Sequence, residues 1–150
     1  MGLGYVLVVQ GSARDVTTLE QVRGKHKVGV SMTTPMDAYL FDNEIDRELY
    51  NGNRRVLRGM VEGEVDAAMV FSTVIARARK NHPDATFKVA GGFKPMPGLR
   101  WNLAIAIPDK EQALKQFVDE SIARMLENGQ IKDIVEGYGM PFYPPFNDQG

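Results

Sequence analysis

Short apolar runs that alternate with segments of helical periodicity constrain the fold of this chain more than any other feature. Four such runs lie at residues 5–9, 27–31, 65–70 and 87–90, and residues 101–107 alternate apolar and polar positions. A regular exchange of strand and helix patterns is typical of α/β proteins. The sequence therefore predicts an α/β fold.

The strongest helix start follows the second run. Thr34 suits the N-cap, Pro35 suits the first helical position, and Asp37 completes the spacing of a capping box. Free N–H groups and the helix dipole attract anions to such a terminus, and Ser31, Thr33 and Thr34 add hydroxyl donors. The pattern indicates a candidate anion site, and a purely capping role for Thr34 is the competing interpretation.

The composition excludes several classes of function. The 150 residues include no cysteine and carry a formal net charge of −1, so thiolate chemistry and a basic nucleic-acid surface are not expected. His26 and His82 have no partner at the spacing of a metal-binding motif. No nucleophile is paired with a base. We therefore expect a protein that is not an enzyme, with no cofactor, no metal and no nucleic-acid partner.

Two further helices close the pattern. Asp109 is the expected N-cap of a long helix that ends at Asn128 and Gly129, and a shorter helix ends at Gly139. The tail, residues 141–150, has no periodicity. An apolar stripe on the long helix needs a partner to cover it. The stripe consists of Leu114, Phe117, Val118, Ile122, Met125 and Leu126.

Basic and aromatic residues form three other groups. The basic groups follow helical spacing, so we interpret them as solvated helix faces and leave a partner site as the minor alternative. The aromatic group either lines an apolar pocket or, as we favour, consists of Trp101 in the core covered by the tail. The groups are Arg54, Arg55 and Arg58; Arg77, Arg79 and Lys80; and Met96, Trp101, Phe142, Tyr143 and Phe146.

Three passages resemble type 2 periplasmic solute-binding proteins, the extracellular solute-binding protein family 3. Residues 18–30 with the threonine-rich helix start resemble "SLEDLKGKKVGV…GTT" of that family, and residues 63–72 resemble "GEVDAVVVDSP". Residues 103–140 resemble its closing "GIAVRK…ADGTLAKIYEKWFG". The ending at residues 138–141 also resembles, loosely, the methanol-oxidation J-type proteins that accompany quinoprotein alcohol dehydrogenases.

The family resemblance implies a two-lobed fold with the ligand in the cleft, of which this chain lacks the first lobe. Residues 5–108 would form the second lobe with its crossing strands, a three-layer α/β unit in which a mixed, mostly parallel sheet of about five strands is flanked by helices. Residues 109–140 would form the helices that pack on the first lobe, and residues 141–150 an irregular tail. The resemblance also implies a periplasmic protein, without a signal peptide in this chain, that serves an ABC-transporter permease. The uncovered stripe predicts that the long helix folds back on the sheet or that two chains form a homodimer.

The resemblance assigns the ligand site residue by residue. Thr33 and Thr34 match the family's anion-binding threonine pair, whereas Phe71 stands where amino-acid-binding members place an aspartate for the ligand ammonium. We therefore expect a small anionic or aromatic solute rather than a typical amino acid. The expected site consists of Ser31, Thr33, Thr34, Phe71, Ser72 and Trp101. The alternative is an accessory protein of a quinoprotein dehydrogenase, with Phe71 filling the former ligand site.

Overall fold

Six strands and six α-helices make up the part of the chain that the computed structural model describes, residues 1–147. The strands are β1 (Gly2–Val9), β2 (Val28–Ser31), β3 (Arg47–Tyr50), β4 (Ala67–Phe71), β5 (Lys88–Val89) and β6 (Arg100–Asn102). The helices are α1 (Leu19–Val22), α2 (Pro35–Asp42), α3 (Asn53–Val61), α4 (Val74–Asn81), α5 (Gln112–Glu127) and α6 (Gln130–Gly137).

The strands form one mixed sheet in the order β3-β2-β4-β1-β5, with β6 also paired to β1. Strand β2 is parallel to β3 and β4, whereas β1 is antiparallel to β4, β5 and β6. Among the described strands, β1 therefore runs against the other five. The predicted α/β fold with a mixed sheet flanked by helices is confirmed, and three of the five pairings between the described strands are antiparallel.

Alternate residues of the central strands face two separate cores, because successive side chains of a strand point to opposite sides of the sheet. One face of the sheet buries Leu7, Val30 and Met69 beneath α1 and α2. The other face buries Val6 and Val70 beneath α3 and α4. The result is the predicted three-layer arrangement of helices, sheet and helices.

Local signals fix the first two helices as expected. Thr18 and Gln21 form a capping box at the start of α1. Thr34 caps α2, which begins at Pro35, and its side chain accepts a hydrogen bond from the Asp37 N–H group. The sequence does not predict strand β3, because the segment Arg-Glu-Leu-Tyr carries too few apolar residues for a strand pattern. This strand lies at the edge of the sheet and pairs with β2 alone.

The predicted strand at residues 101–107 is wrong beyond Asn102. Register pairs Gly2 with Asn102, so β1 begins where β6 ends and leaves no strand for the following residues to join. Leu103 donates one hydrogen bond to the Met1 carbonyl, at 2.9 Å. The Leu103 and Ile105 side chains are each 62% exposed. The alternation of apolar and polar residues does not show that β1, the strand with which these residues would pair, begins only at Gly2.

The C-terminal helix pair, α5 and α6, differs from the prediction at its start and in its packing. Asp109 does not cap α5, which begins at Gln112 after Glu111. The Gln112 side-chain amide instead donates to the Asp109 carbonyl, at 2.6 Å. No residue of α5 is buried, so this helix does not fold back on the sheet to make a core. Its packing partner is α6, which contributes Val135 as a buried residue.

The tail aromatics cover a different place from the one predicted. Tyr143 forms an isolated bridge with Gly2, and the Phe146 ring lies against Gly2 and over the Arg100 guanidinium. Trp101 is not a core residue, because 46% of it is exposed. Residues 148–150 of the predicted tail lie outside the described residues. No helix of residues 1–147 is both long and apolar enough to cross a membrane.

Candidate functional site

The candidate site lies where the path of the chain through the sheet changes direction. After β2 the chain moves outward to the edge strand β3, and after β4 it moves the other way, past β1 to β5. Ligands of open α/β sheets bind in the crevice outside the carboxyl ends of the strands at such a switch point. Ser31 ends β2 and Phe71 ends β4, and the pairing of Val30 with Met69 places the two strand ends side by side.

The hydroxyl groups at the start of α2 are mostly committed to the backbone. Thr34 Oγ1 donates to the Ser31 carbonyl, at 2.7 Å, and accepts from the Asp37 N–H group, at 3.2 Å. Thr33 Oγ1 donates to the Met32 carbonyl, at 2.7 Å. Among residues 1–147, the donors left without a partner at this helix end are the Ser31 hydroxyl and the N–H groups of Thr34 and Met36. Met36 is fully buried, so the Ser31 hydroxyl and the Thr34 N–H group are the donors available to a solute.

A carboxylate of the chain itself already occupies part of this helix end. The Thr33 N–H group donates to Asp37 Oδ2, at 2.9 Å. Arg47 on β3 forms an ion pair with Asp37 Oδ1, at 2.7 Å, and both side chains are largely buried. Arg47 also lies over the Phe41 ring, at 4.8 Å. Asp37 therefore lowers the positive potential at the terminus, and Arg47 restores it, which makes Arg47 a site residue that sequence reasoning missed.

Thr33 adopts an unusual backbone conformation. Its φ angle is +58°, in the left-handed region that β-branched residues rarely occupy. This turn directs the Thr33 N–H group to Asp37 while the Thr34 N–H group remains open. Residues held in such conformations cluster at ligand sites, where the surrounding structure supports the strain.

Three aromatic rings form the other half of the site. The Phe71 ring centroid lies 5.7 Å from that of Tyr5 and 5.8 Å from that of Trp101, and Tyr5 and Trp101 are 6.2 Å apart. Edge-on and tilted pairs at these distances are favourable. Phe71 is half-buried and Trp101 is exposed, so the cluster offers an apolar surface to a ligand. The sequence places Tyr5 only on a strand, but its register opposite Phe71 brings it into the cluster.

Ser72 has a structural role in this arrangement. It is buried, and its hydroxyl accepts a hydrogen bond from the Gly4 N–H group at 3.4 Å. Its own N–H group donates to the Gly4 carbonyl, at 2.9 Å. The structure thus ties Ser72 to β1. It brings Phe71 together with Trp101, and it places Ser31, Thr33 and Thr34 at the end of the neighbouring strand.

Titration and metal ligation add little at this site. At the end of β3, burial and the Glu64 carboxylate raise the pKa of Tyr50 well above its ordinary value. Burial likewise raises the pKa of Tyr143, in the tail. Within residues 1–147, no three acidic, histidine or cysteine side chains lie together as a metal site requires.

No protein-family model and no curated protein sequence matches this chain. Solved structures do match in fold. The L-cystine solute receptor of Neisseria gonorrhoeae, in its unliganded open conformation, is 17% identical with a TM-score of 0.73, over 91% of this chain and 56% of that receptor. The second substrate-binding domain assigned to an amino acid ABC transporter of Streptococcus pneumoniae is 18% identical with a TM-score of 0.68, over 92% and 61%.

A third similar structure is an enzyme. An ancestral cyclohexadienyl dehydratase is 15% identical with a TM-score of 0.65, over 92% of this chain and 57% of that enzyme. At these identities the likeness establishes the fold, which is that of a lobe of the periplasmic-binding-protein type. The chain spans 56–61% of the length of these three structures.

Proposed function

We propose that this chain is the second lobe and the C-terminal helices of a solute-binding protein that performs no chemistry. The solute is a small anion with an aromatic or apolar body, and it lies at the carboxyl ends of β2 and β4. One observation supports the proposal: the free donors of Ser31 and Thr34 follow the end of β2, next to the end of β4, where Phe71 contacts Trp101. The donors suit an anionic group and the rings suit an apolar body.

The same residues disfavour an amino acid as the solute. An ammonium group needs a carboxylate, and the ring of Phe71 stands at the position where the family resemblance places one. Asp37 is close by, but each of its two oxygens already holds a donor, from Thr33 and from Arg47. Because the cystine receptor has the same fold, an amino acid remains the competing class of solute.

One lobe alone should bind its solute weakly. Closure of two lobes around a ligand removes water from both of its sides, and this chain spans 56% of the cystine receptor. In the proposed setting the complete protein is periplasmic, closes on the solute and delivers it to an ABC-transporter permease. The 150-residue chain by itself should bind in the millimolar range, at about 4 kcal/mol.

The ligand class is tested by exchanging one ring for a carboxylate. Phe71→Asp should weaken phenylacetate binding at least about tenfold, because it adds a repelling charge and removes the ring. It should also improve the binding of phenylalanine. Phe117→Asp, the same exchange on exposed α5, is the matched control and should leave both affinities unchanged. Amide chemical shifts of Thr34 and Met36, followed during titration, give the affinities and the location.

Each outcome of that titration has a definite meaning. If the wild-type chain binds phenylalanine more tightly than phenylacetate, the anionic class is wrong while solute binding stands. If a panel of aromatic acids, dicarboxylates and amino acids moves none of these amides, the solute-binding proposal is wrong. Loss of binding in Phe117→Asp would place the ligand elsewhere.

The alternative is an accessory protein of a quinoprotein dehydrogenase that binds no solute. It is supported by the resemblance of residues 138–141 and by the contacts of the Phe71 ring with Tyr5 and Trp101, which engage the ring within the chain itself. A purified quinoprotein alcohol dehydrogenase should then bind this chain in calorimetry, and Phe71→Asp should not affect that binding. No heat of binding would exclude the alternative.

A further inference from the structure

Three arginines, drawn from both basic groups of the sequence, line one groove on the far side of the sheet from α2. Helices α3 and α4 pack side by side over the core that contains Val56 and Ile75. The groove between them has a volume of about 370 Å³. Arg54 and Arg58 line it from α3, and Arg77 lines it from α4. We call it the α3–α4 groove.

The charges in the α3–α4 groove are not balanced. No acidic side chain lines it, and among residues 1–147 neither Arg54 nor Arg77 has a carboxylate within ion-pair distance. Arg58 pairs with Glu62, at 2.7 Å, on the exposed side of α3. The first turn of α3 contains no acidic residue, so Arg54 stands at the positive end of the helix dipole without compensation. Like charges held together in this way favour a bound anion.

The floor of the α3–α4 groove is apolar. Leu57 and Ala78 are buried beneath the arginines, and half-buried Val74 completes the floor. Guanidinium groups bind carboxylates and phosphates through paired hydrogen bonds, and an apolar floor takes up a ring or a short chain. A volume near 370 Å³ lies in the range of small-molecule sites.

The length of the groove argues for a small ligand. Its lining on this side runs from Thr73 to His82, one residue beyond each end of α4, whose eight residues span about 12 Å at the rise of an α-helix. A nucleic-acid strand or an extended acidic peptide would need more contact length than this. The sequence analysis interprets each basic group as a separate solvated helix face. It does not predict that arginines of both groups line the same groove in the folded chain.

We propose that the α3–α4 groove is a second binding site, for a small organic anion that carries a phosphate or carboxylate on an apolar body. Arg54 and Arg77 hold the anionic group, and Leu57, Val74 and Ala78 support the body. The site lies on the opposite face of the sheet from the candidate solute site and does not depend on it. Occupancy would add a ligand-dependent stabilisation to the lobe, since binding to the folded state alone raises its stability.

The test uses 1-naphthyl phosphate as the probe, with 1-naphthol and inorganic phosphate as its two halves. Amide shifts of Leu57 and Ala78 should move with naphthyl phosphate, and they should still move in Phe71→Asp, which impairs the proposed solute site. Shifts of Ser31 and Thr34 report any binding of the probe at that other site separately. The double variant Arg54→Gln, Arg77→Gln should weaken the probe at least about tenfold, because it removes two charge-assisted contacts. The matched control is Arg14→Gln, Arg55→Gln, which removes the same charge from exposed positions outside the groove and should change the affinity less than about twofold.

Three results would overturn the second site. If inorganic phosphate bound as tightly as naphthyl phosphate, the apolar floor would contribute nothing to binding. If 1-naphthol bound as tightly as naphthyl phosphate, the arginines would contribute nothing to binding. Equal weakening in the two double variants would mean that net charge alone attracts the probe. The assignment of shifts to α3 and α4 or to α2 separates failure of this site from failure of the proposed solute site.

Discussion

The region from Tyr5 to Leu99 and the C-terminal segment, residues 103–140, have the same kind of sequence but different kinds of packing. Every buried hydrophobic residue among the described residues lies between Tyr5 and Leu99, except Val135. The C-terminal segment carries apolar residues at regular spacing and leaves nearly all of them exposed or half-buried, with Phe117 being 66% exposed. Periodicity therefore shows that a helix has an apolar face, and only the fold shows whether the chain covers it.

The difference has a physical origin in the sheet. Helices α1 to α4 each follow or precede a strand and lie across one face of it, so their stripes meet apolar strand residues. Helices α5 and α6 come after the last strand and contact each other. A two-helix unit buries little, and isolated helices of this length are only marginally stable in water. A partner that covered this face would therefore stabilise the C-terminal segment.

Truncating one leucine in each region should give the largest difference. Leu40→Ala empties a fully buried position beneath α2 and should lower the free energy of unfolding by about 2–5 kcal/mol. Leu114→Ala on exposed α5 should lower it by less than about 0.5 kcal/mol. Urea unfolding followed by circular dichroism measures both values. Equal losses would mean that α5 belongs to the core of the chain.

Adding one methyl group to a glycine in each region should give effects of opposite sign. At Gly59 in α3, a Cβ atom would stand 2.5 Å from the Tyr50 hydroxyl oxygen, so Gly59→Ala should cost about 1–3 kcal/mol. At Gly137 in α6, nothing lies within 4 Å, and Gly137→Ala should stabilise by about 0.5–1 kcal/mol through its helix propensity. Thermal unfolding gives the signs, and stabilisation by Gly59→Ala would contradict the close packing of α3 on β3.

The exposed face of the C-terminal segment should also drive self-association. We expect a homodimer through α5 and α6, because exposed apolar patches pair in water. Phe117→Asp should weaken dimerisation at least about tenfold, which is about 1.4 kcal/mol. Native mass spectrometry of the wild-type and variant chains reports the subunit count together with any retained solute. A wild-type chain that stays monomeric at a protein concentration of about 0.1 mM would contradict this prediction.

Much of the fold can be predicted from the sequence because its signals are local. The capping residues Thr18 and Thr34, the switch from strand to helix periods and the end of α5 at Gly129 all depend on neighbours within about four residues. The failures depend on distant residues. Strand β3 forms because β2 offers it an edge, and residues 103–107 form no strand because β1 begins at Gly2.

The candidate site divides in the same way. The hydroxyl residues at the start of α2 can be found from a local motif, and Phe71 from the family resemblance. The ion pair of Asp37 with Arg47 joins α2 to β3 across ten residues, and the ring of Tyr5 meets Phe71 through strand register. The α3–α4 groove joins arginines of two separate helices. Contacts of this kind are set by topology, so no spacing rule in the sequence reveals them.

The smallest expected effect is on the free energy of unfolding at alkaline pH, and it arises in the region from Tyr5 to Leu99. The Tyr50 hydroxyl donates to Glu64, at 2.9 Å, and burial together with this carboxylate raises the pKa of Tyr50 in the folded chain. An unfolded chain therefore loses this proton at lower pH than the folded chain. The free energy of unfolding should fall as pH rises above about 10, the ordinary value for tyrosine, because the unfolded state then binds fewer protons than the folded state.

Two variants isolate the contribution of Tyr50. Tyr50→Phe should flatten the decline of unfolding free energy between about pH 9.5 and 11, because no phenol titrates at this position. Glu64→Gln should flatten it in part, since it removes the carboxylate but keeps the burial that is the larger cause. Urea unfolding at several pH values measures the slopes. An unchanged slope in Tyr50→Phe would show that burial and the Glu64 carboxylate do not hold the phenol proton, and it would contradict the close approach of Tyr50 to α3 on which the Gly59 prediction depends.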